Sequence, residues 1–306
     1  MELSFETYDV FTDTRYRGNP LAVVTIPAAG PKPTQEQKQA IAAEFNLSET
    51  IFIHDVADPA ADTARKVDIF IPNTEISFAG HPTIGSAVSL LPKGVTSIVT
   101  RAGPIPVSKT GPASARAAIP HNVHLHQKRL RDLAGIQSAD ISAVPAIREA
   151  QVNAPVYSIV KGMSFVLVEL PSLEALAQVR QTSYGPPAEQ LLDAGWQEGL
   201  VCMYHFVRTG TSTADDGVPV VKLRTRMVIA LFEDPATGSA ASALSSYLSH
   251  GNKEQTAPVC RYEITQGVEM GRESNITVEI SLKDGEINTV HLSGSAVKVM
   301  QGTLTV

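Results

Sequence analysis

Two seven-residue stretches of this sequence resemble each other, and their spacing constrains the fold more than any other feature. Residues 81–87 and 234–240 share proline, glycine, serine and alanine at matching positions. Their prolines, Pro82 and Pro235, lie 153 residues apart, which is half of the 306-residue length. Because each stretch follows a β-like segment and opens a helical pattern, the spacing predicts a duplicated chain with one copy of a common unit in each half.

The local patterns predict more strands than helices. Runs rich in Val, Ile, Phe and Thr predict strands at residues 21–26, 50–53, 66–71, 156–160, 165–169, 201–207, 218–223, 276–280 and 296–300. Helical patterns cover residues 34–45, 82–91, 172–178, 187–194 and 235–248. Because strands and helices do not alternate regularly, the sequence favours an α+β fold with mixed or antiparallel sheets. The segment 101–120, rich in Gly, Pro, Ala and Ser, is predicted to connect the halves.

Composition limits the classes of function. A formal charge of −6 and a pI near 5.8 argue against a general binder of nucleic acid or acidic membranes, and leave a small polar substrate open. No apolar run reaches the ~18 residues of a membrane span, and the first residues lack the pattern of a secretory signal. We therefore expect a cytoplasmic protein. The two cysteines, Cys202 and Cys260, are expected to be buried free thiols.

Each of the two similar stretches places a proline in a predicted first helical turn, followed by small residues. Small side chains leave backbone N–H groups open at the positive end of the helix dipole, where a carboxylate or enolate can bind. Asp234 is a favoured N-cap residue, whereas His81 is a poor one. With a pseudo-twofold axis, the two side chains would face one ligand across a cleft. Alternatively, both simply mark helix starts beside a domain contact.

A third candidate, Glu49, stands at the mouth of the apolar predicted strand at residues 50–53. Partial burial would raise the pKa of this carboxyl, and such a group can act first as a general base and then as an acid. A solvated strand end is the alternative interpretation, because most glutamates in such places are exposed.

Successive motifs of the chain resemble those of the PhzF-like, or phenazine biosynthesis-like, family. The matching stretches are residues 9–12 (DVFT), 18–24 (GNPLAVV), 46–50 (NLSET), 78–85 (FAGHPTIG), 233–240 (EDPATGSA) and 266–272 (QGVEMGR). They are collinear from near the first residue to the last 40, and only the middle, from about 105 to 200, carries little of the resemblance.

The resemblance implies the fold of diaminopimelate epimerase. It predicts two pseudo-symmetric domains, each a mostly antiparallel sheet wrapped around a central helix, with an active site in the cleft between them. The first domain would comprise residues 1–120 with a C-terminal strand at about 290–306, and would carry Glu49 and His81. The second would comprise residues 121–289 and carry Asp234.

The resemblance also implies a cofactor-independent isomerase that moves a proton between carbons of a small cyclic or unsaturated carboxylate. In the family archetype a dihydro-hydroxyanthranilate is isomerised. The catalytic residues implied here are Glu49, the acid/base of the NLSET motif, His81 and Asp234. The substrate-binding residues implied here are Asn19, Ser48, Gly80, Thr237, Gly238 and Ser239. No cofactor and no metal are implied, and a homodimer is consistent with family habit.

Several other interpretations are weaker or remain open. A two-thiol racemase is disfavoured, because neither helix start carries a cysteine. Residues 80–86 lack the lysine of a phosphate-binding loop. The histidines at 121, 124 and 126 are expected to form a solvated segment rather than a metal site. After Arg272, the pair at 273–274 departs from the family's arginine-proline-serine ending. The main alternative is a non-catalytic metabolite-binding or regulatory protein that uses the same cleft.

Overall fold

The strands and helices of the chain fall into two units. The computed structural model describes residues 1–137, 139–182, 184–229, 232–250 and 257–306. The first unit comprises Met1–Ile119, Arg272–Asn275 and His291–Val306, and the second comprises Pro120–Gly271 and Ile276–Val290. Among the described residues, no helix is both long and apolar enough to cross a membrane.

The first unit is a ring of strands around one helix. Its strands are β1 (Glu2–Val10), β2 (Asn19–Ile26), β3 (Glu49–His54), β4 (Ala64–Ile71), β5 (Thr74–Ile76), β6 (Ser97–Thr100), β7 (Gly103–Gly111), β8 (Ser114–Ala118) and the later part of β17 (Glu286–Thr305). Its helices are α1 (Gln35–Phe45), α2 (Gly80–Leu90) and a short 3-10 turn at Leu91–Lys93.

Neighbouring strands pair in the order β1, β2, β3, β4, β6, β7, β8 and β17, and β17 pairs with β1 again. The β2–β3 and β4–β6 pairs are parallel and the others in this ring are antiparallel. The short strand β5 pairs antiparallel with β4 outside the ring.

Helix α2 is enclosed because its side chains are small or apolar. It contacts β1, β2, β3, β7 and β8, and nine of its 11 residues are buried. An added Cβ at Gly85 would lie 2.5 Å from a Leu21 methyl carbon and 2.8 Å from one of Val10, so glycine permits this close approach to β1 and β2. Burial on every face is expected for a helix inside a sheet rather than on a surface.

The second unit contains the remaining elements. Its strands are β9 (His124–Leu125), β10 (Val156–Val160), β11 (Met163–Glu169), β12 (Leu200–Thr213), β13 (Pro219–Ile229), β14 (Phe232–Asp234), β15 (Val259–Gln266), most of β16 (Ser274–Lys283) and the start of β17. Its helices are α3 (Pro145–Asn153), α4 (Leu173–Ala177), α5 (Ala188–Leu191), α6 (Gly238–His250) and a 3-10 turn at Leu130–Asp132. The β11–β12 and β13–β15 pairs are parallel; the pairs β9–β10, β10–β11, β12–β13 and β13–β14 are antiparallel. Helix α6 packs against β10, β11 and β15.

Several predicted elements are confirmed and others are wrong. The patterns at 34–45, 82–91 and 235–248 correspond to α1, α2 and α6. The prediction that residues 101–120 form a connection is wrong, because they form β7 and β8. Their buried positions alternate with more exposed ones, as in a half-buried strand, but the inward residues include small alanines at 115 and 117, which give a weak sequence signal.

Candidate active site

Glu49 and His81 come together in the first unit. Glu49 is the first residue of β3, and its register partner on the parallel strand β2 is Leu21. His81 lies in the first turn of α2, where its ring is 2% exposed, against 17% for the Glu49 side chain. The Nδ1 atom of His81 lies 3.0 Å from Oε2 of Glu49. The structure therefore brings together two of the three residues predicted to be catalytic.

The prediction that the pKa of Glu49 is raised is wrong. Burial raises the pKa of this carboxyl, but the charge of His81, the contact with its ring and the hydroxyl of Ser48 together hold the pKa below its ordinary value. An opposite charge within ~4–6 Å outweighs moderate desolvation when the carboxyl keeps some exposure. Glu49 is thus ionised at neutral pH, which is the form that a general base requires.

The pair leaves polar atoms unsatisfied. Oε2 of Glu49 lies at ion-pair distance from the ring but off the hydrogen-bonding direction, and neither this oxygen nor Nε2 of His81 has a hydrogen-bond partner within the described part of the chain. Buried polar atoms nearly always have a partner in folded proteins. His81 also makes no cap: the N-cap residue is Ala79, without a side-chain cap bond. Both atoms are therefore buried with their hydrogen-bonding capacity unused by the described residues.

Asn19, Ser48 and Gly80 accompany this pair. The hydroxyl of Ser48 donates to Oδ1 of Asn19 at 3.1 Å, and Asn19 is 1% exposed at the start of β2. Ser48 precedes Glu49 in the chain and Gly80 precedes His81 as the first residue of α2. His81 therefore lies beside the carboxylate, while Asn19 contacts the residue before Glu49 and Gly80 is the residue before His81.

In the second unit, Asp234 ends β14 rather than capping α6. The helix begins at Gly238, three residues later than predicted. The hydroxyl of Thr237 donates to Oδ2 of Asp234 at 2.6 Å. The backbone carbonyl of Thr237 accepts the first hydrogen bond of the helix, from the N–H of Ala241, at 2.9 Å. Asp234 is therefore not the N-cap residue of α6, which its place before Pro235 favoured. Asp234 is 8% exposed as a residue, and Ser239, in the first turn of α6, is 5% exposed.

Gln266 organises this second group, although no role was predicted for it. It is fully buried at the end of β15, and its Nε2 donates to the carbonyl of Asp234 at 2.8 Å and to the Thr237 hydroxyl at 3.1 Å. Its Oε1 accepts from the Thr237 backbone at 3.3 Å and from the Tyr204 hydroxyl at 3.0 Å. In the sequence, Gln266 is the first residue of the family motif at 266–272. The motif alone does not show that the amide of this side chain hydrogen-bonds to Thr237 before α6.

The prediction of a solvated histidine segment is wrong for His126. His126 is 4% exposed, and its ring contacts Ser158 through Nε2 at 2.8 Å and accepts from the Asp193 backbone through Nδ1 at 3.1 Å. Nε2 of His124 lies 2.9 Å from Oδ2 of Asp193, and its ring stacks on Trp196. His124, His126 and Asp193 place ligand atoms within 4.8 Å of one another. The Nδ1 lone pair of His126 is already used by a backbone N–H, however, so the geometry is that of a hydrogen-bonded cluster.

The comparison with known sequences decides the family. The sequence profile of the phenazine biosynthesis-like proteins matches residues 8–302. The chain belongs to this family. An uncharacterised isomerase from Mesorhizobium japonicum is 31% identical over 312 residues, covering 97% of each chain. The trans-2,3-dihydro-3-hydroxyanthranilate isomerase of Pseudomonas fluorescens is 29% identical over 305 residues, again covering 97% of each.

Solved structures agree on the fold of this phenazine biosynthesis-like protein. The crystal structure of a Bacillus anthracis phenazine biosynthesis protein of the PhzF family matches with a TM-score of 0.72 at 20% identity, over 100% of both chains. The family profile and the sequence relatives named as isomerases make the chain an isomerase of the PhzF type.

The cysteines of this family member are buried free thiols, as predicted. Burial, with a smaller effect of Asp234, raises the pKa of Cys202 to about 12, so its thiol is protonated at neutral pH. Neither Cys202 nor Cys260 lies in the first turn of α2 or α6. The first turn of α2 instead carries His81, which pairs with Glu49, and the first turn of α6 carries Ser239.

Proposed function

We propose that this isomerase moves a proton between carbons of a small cyclic or unsaturated carboxylate, with Glu49 as the acid/base. The observation that carries the proposal is the Glu49–His81 pair, in which a largely buried and ionised carboxylate keeps one oxygen without a hydrogen-bond partner. A base held in this state is ready to accept a proton from carbon without first losing one itself.

The proposed reaction needs no net oxidation. Glu49 accepts the proton as a C–H bond breaks, and the electron pair delocalises into the unsaturated system of the substrate. The protonated Glu49 exchanges its proton with solvent and then donates a proton to a second carbon, where a C–H bond forms as the double bond moves and Glu49 returns to the carboxylate. Because atoms and electrons balance without an acceptor, we propose that the reaction is independent of a cofactor. His81 stabilises the carboxylate form, which favours return of the proton to the substrate.

The remaining residues are proposed to bind the substrate. In the first unit, we propose Asn19, Ser48 and Gly80, because Ser48 and Gly80 are the chain neighbours of Glu49 and His81 and Asn19 accepts a hydrogen bond from Ser48. In the second unit, we propose Asp234, with Thr237, Gly238 and Ser239, for the amine, hydroxyl or carboxylate of the substrate. Support comes from the hydrogen bonds that fix Asp234 and Thr237 at the start of α6, where the helix dipole favours negative charge.

The test is isomer formation measured by NMR with trans-2,3-dihydro-3-hydroxyanthranilate, the substrate named for the Pseudomonas relative, and then with a panel of cyclic and unsaturated carboxylates. Glu49→Gln keeps the shape and removes the base, and we expect a loss of turnover of at least about 100-fold. Glu75→Gln is the matched control, because Glu75 is 15% exposed in the same unit and pairs with Arg101.

Two outcomes would contradict the proposal. Glu49→Gln could turn over a confirmed substrate at the wild-type rate, which would remove Glu49 from the chemistry. Alternatively, the wild-type protein could bind carboxylates of the panel without forming an isomer, and Glu49→Ala could bind them equally well. That result would favour the non-catalytic metabolite-binding alternative.

A further inference from the structure

The side-chain amide of Gln266 is fixed in one orientation by its partners. Nε2 donates to the carbonyl of Asp234 at 2.8 Å and to the hydroxyl oxygen of Thr237 at 3.1 Å, so both of its hydrogens are used. Oε1 faces the backbone N–H of Thr237 at 3.3 Å and the hydroxyls of Tyr204 and Thr225 at 3.0 and 3.4 Å. Because a backbone carbonyl can only accept and a backbone N–H can only donate, the amide cannot be turned over.

This orientation decides where the hydroxyl proton of Thr237 goes. A hydroxyl has one proton, and Oγ1 of Thr237 accepts from Nε2 of Gln266, so its own proton is directed away from the amide. It is donated to Oδ2 of Asp234 at 2.6 Å, a distance typical of a hydrogen bond from a hydroxyl to a carboxylate. The two hydrogen bonds therefore run in one direction, from the amide through the hydroxyl to the carboxylate.

Strand pairing places the backbone near this contact but not the hydroxyl. Met227 pairs with Asp234 between β13 and β14, and Thr225 pairs with Gln266 between β13 and β15. Thr237 lies outside both ladders, in the connection from β14 to α6, and its carbonyl begins the hydrogen bonds of the helix. Backbone pairing does not set the direction in which a side-chain hydroxyl donates. In the described contacts, the amide of Gln266 and the carboxylate of Asp234 set it.

The direction of the proton limits what Thr237 can offer to a ligand. Thr237 is partly exposed, whereas Gln266 is completely buried. With its proton on Asp234, Oγ1 of Thr237 has only a lone pair left for a further partner, and a carboxylate oxygen also only accepts. An amino or hydroxyl group of a ligand can donate to this pair. A carboxylate has no proton to donate and is repelled by the charge of Asp234.

We propose that Gln266 is a specificity-determining positioning residue. By directing the Thr237 hydroxyl to Asp234, it makes these two residues accept hydrogen bonds from an amino or hydroxyl group of the substrate and reject its carboxylate. The proposal rests on the proposed function, which assigns Asp234 and Thr237 to substrate binding and leaves the amine, hydroxyl and carboxylate open. Gln266 acts through Thr237 rather than by touching the ligand, because it is completely buried.

The test compares three aromatic carboxylates that differ in their donors: anthranilate with an amino group, 3-hydroxybenzoate with a hydroxyl, and benzoate with neither. Dissociation constants are measured by NMR titration for wild type, Gln266→Met and Gln151→Met. Gln151 is the matched control, because it is a buried glutamine of the same unit whose amide oxygen accepts from Ser142, away from Asp234 and Thr237. We expect wild type and Gln151→Met to bind anthranilate or 3-hydroxybenzoate at least about 10-fold more tightly than benzoate. In Gln266→Met this advantage should fall below about 3-fold.

Variants of Thr237 keep the test decisive if Gln266→Met does not fold. Thr237→Val keeps nearly the same shape without the hydroxyl, and should lose the advantage over benzoate. Thr237→Ser keeps the hydroxyl and should retain it. Combining Gln266→Met with Thr237→Val should have little further effect, because both changes act on one contact.

The ligand-free protein offers a direct check of the hydrogen bonds. The two Nε2–H resonances of Gln266 are followed in ¹H–¹⁵N spectra of wild type, Thr237→Val and Thr237→Ser. One of the two should shift towards the position of an unbonded amide in Thr237→Val, while the proton donated to the carbonyl of Asp234 should change little. Neither should shift this way in Thr237→Ser. With a confirmed substrate, Gln266→Met should raise KM by about 10-fold while kcat stays within about 3-fold, which loss of stability alone would not produce.

Three results would overturn the proposal. Wild type could fail to distinguish anthranilate and 3-hydroxybenzoate from benzoate, whether all three bind or none does. The advantage over benzoate could be unchanged in Gln266→Met or Thr237→Val, or it could be lost equally in Gln151→Met. Failure of the proposed function is distinguishable, because turnover that survives Glu49→Gln would remove Glu49 from the chemistry, and the affinities for these three ligands would still decide the role of Gln266.

Discussion

The ion pair between Arg226 and Glu233 makes a quantitative prediction about the strand that carries Asp234. Nε and Nη2 of Arg226 donate to the two oxygens of Glu233 at 2.7 and 2.8 Å, and both side chains are 7% exposed. Nη1 donates to the carbonyls of Leu176, Ala177 and Val179 at 2.9, 3.4 and 3.0 Å. One guanidinium therefore joins β13, β14 and the end of α4. Its partner Glu233 is the residue directly before Asp234.

Removing one partner leaves the other charge buried. Breaking a buried pair from one side typically destabilises a protein by about 3–5 kcal/mol, and at 7% exposure solvent screens little of this. Glu233→Gln keeps one acceptor oxygen, so we expect about 3 kcal/mol for this variant and about 4 kcal/mol for Arg226→Met. The double variant Arg226→Met/Glu233→Leu removes both charges and should be destabilised by only about 2 kcal/mol, mainly because the carbonyls of Leu176, Ala177 and Val179 each lose one donor.

Urea unfolding of the four proteins, followed by circular dichroism, measures these differences and their coupling. The double variant must be more stable than Arg226→Met alone for the reasoning to hold. If Glu233→Gln costs under about 1 kcal/mol, or if the two single effects simply add, then the pair is effectively solvated and the argument from burial is refuted.

Three other changes have defined outcomes. Gly18→Ala places a Cβ 2.3 Å from the carbonyl oxygen of Val10 in a left-handed backbone, and should lower the free energy of unfolding, measured in urea, by about 2 kcal/mol. Equal stability would show that the loop between β1 and β2 is not constrained at this residue. Burial and His124 lower the pKa of His126 to about 4, so the unfolded chain binds this proton first, and stability should fall by up to about 3 kcal/mol as pH drops from about 6.5 to 4. His126→Asn should flatten that dependence, and an unchanged slope would contradict it. Asp68→Asn removes the negative charge that pairs with the buried Lys38 at 2.6 Å and should cost about 3 kcal/mol at pH 7 in thermal unfolding, whereas a cost near zero would mean that Lys38 reaches water.

The two similar stretches predicted the helices at the centre of each unit but not where those helices begin. Helix α2 starts at Gly80, two residues before its proline, and α6 starts at Gly238, three residues after its own. Proline is tolerated both within a first turn and just before a helix, so the motif alone does not set the boundary. Because α6 begins three residues after Pro235, Asp234 lies too far from the helix to be its N-cap. It instead hydrogen-bonds with Thr237 and Gln266.

Contacts between distant residues account for most of what the sequence did not predict. The ionised state of Glu49 depends on a ring 32 positions later, and burial alone suggested the opposite direction for its pKa. The pairing of Arg272 with Asp9 joins residues 263 positions apart. Local patterns report burial and secondary structure, whereas the state of a buried acid depends on which charges the fold brings to it. His126 was wrongly predicted to be solvated for the same reason, because its partners Ser158 and Asp193 lie outside its segment.

The central claim is that Glu49 exchanges a proton with substrate carbon, and deuterium incorporation measures this directly. The wild-type protein is incubated in D₂O with a turned-over carboxylate, and the label at each carbon is read by NMR. The account predicts deuterium at the carbon that gains the proton in wild type and in Glu75→Gln, and none above the uncatalysed background in Glu49→Gln. Equal incorporation by Glu49→Gln and wild type would contradict it.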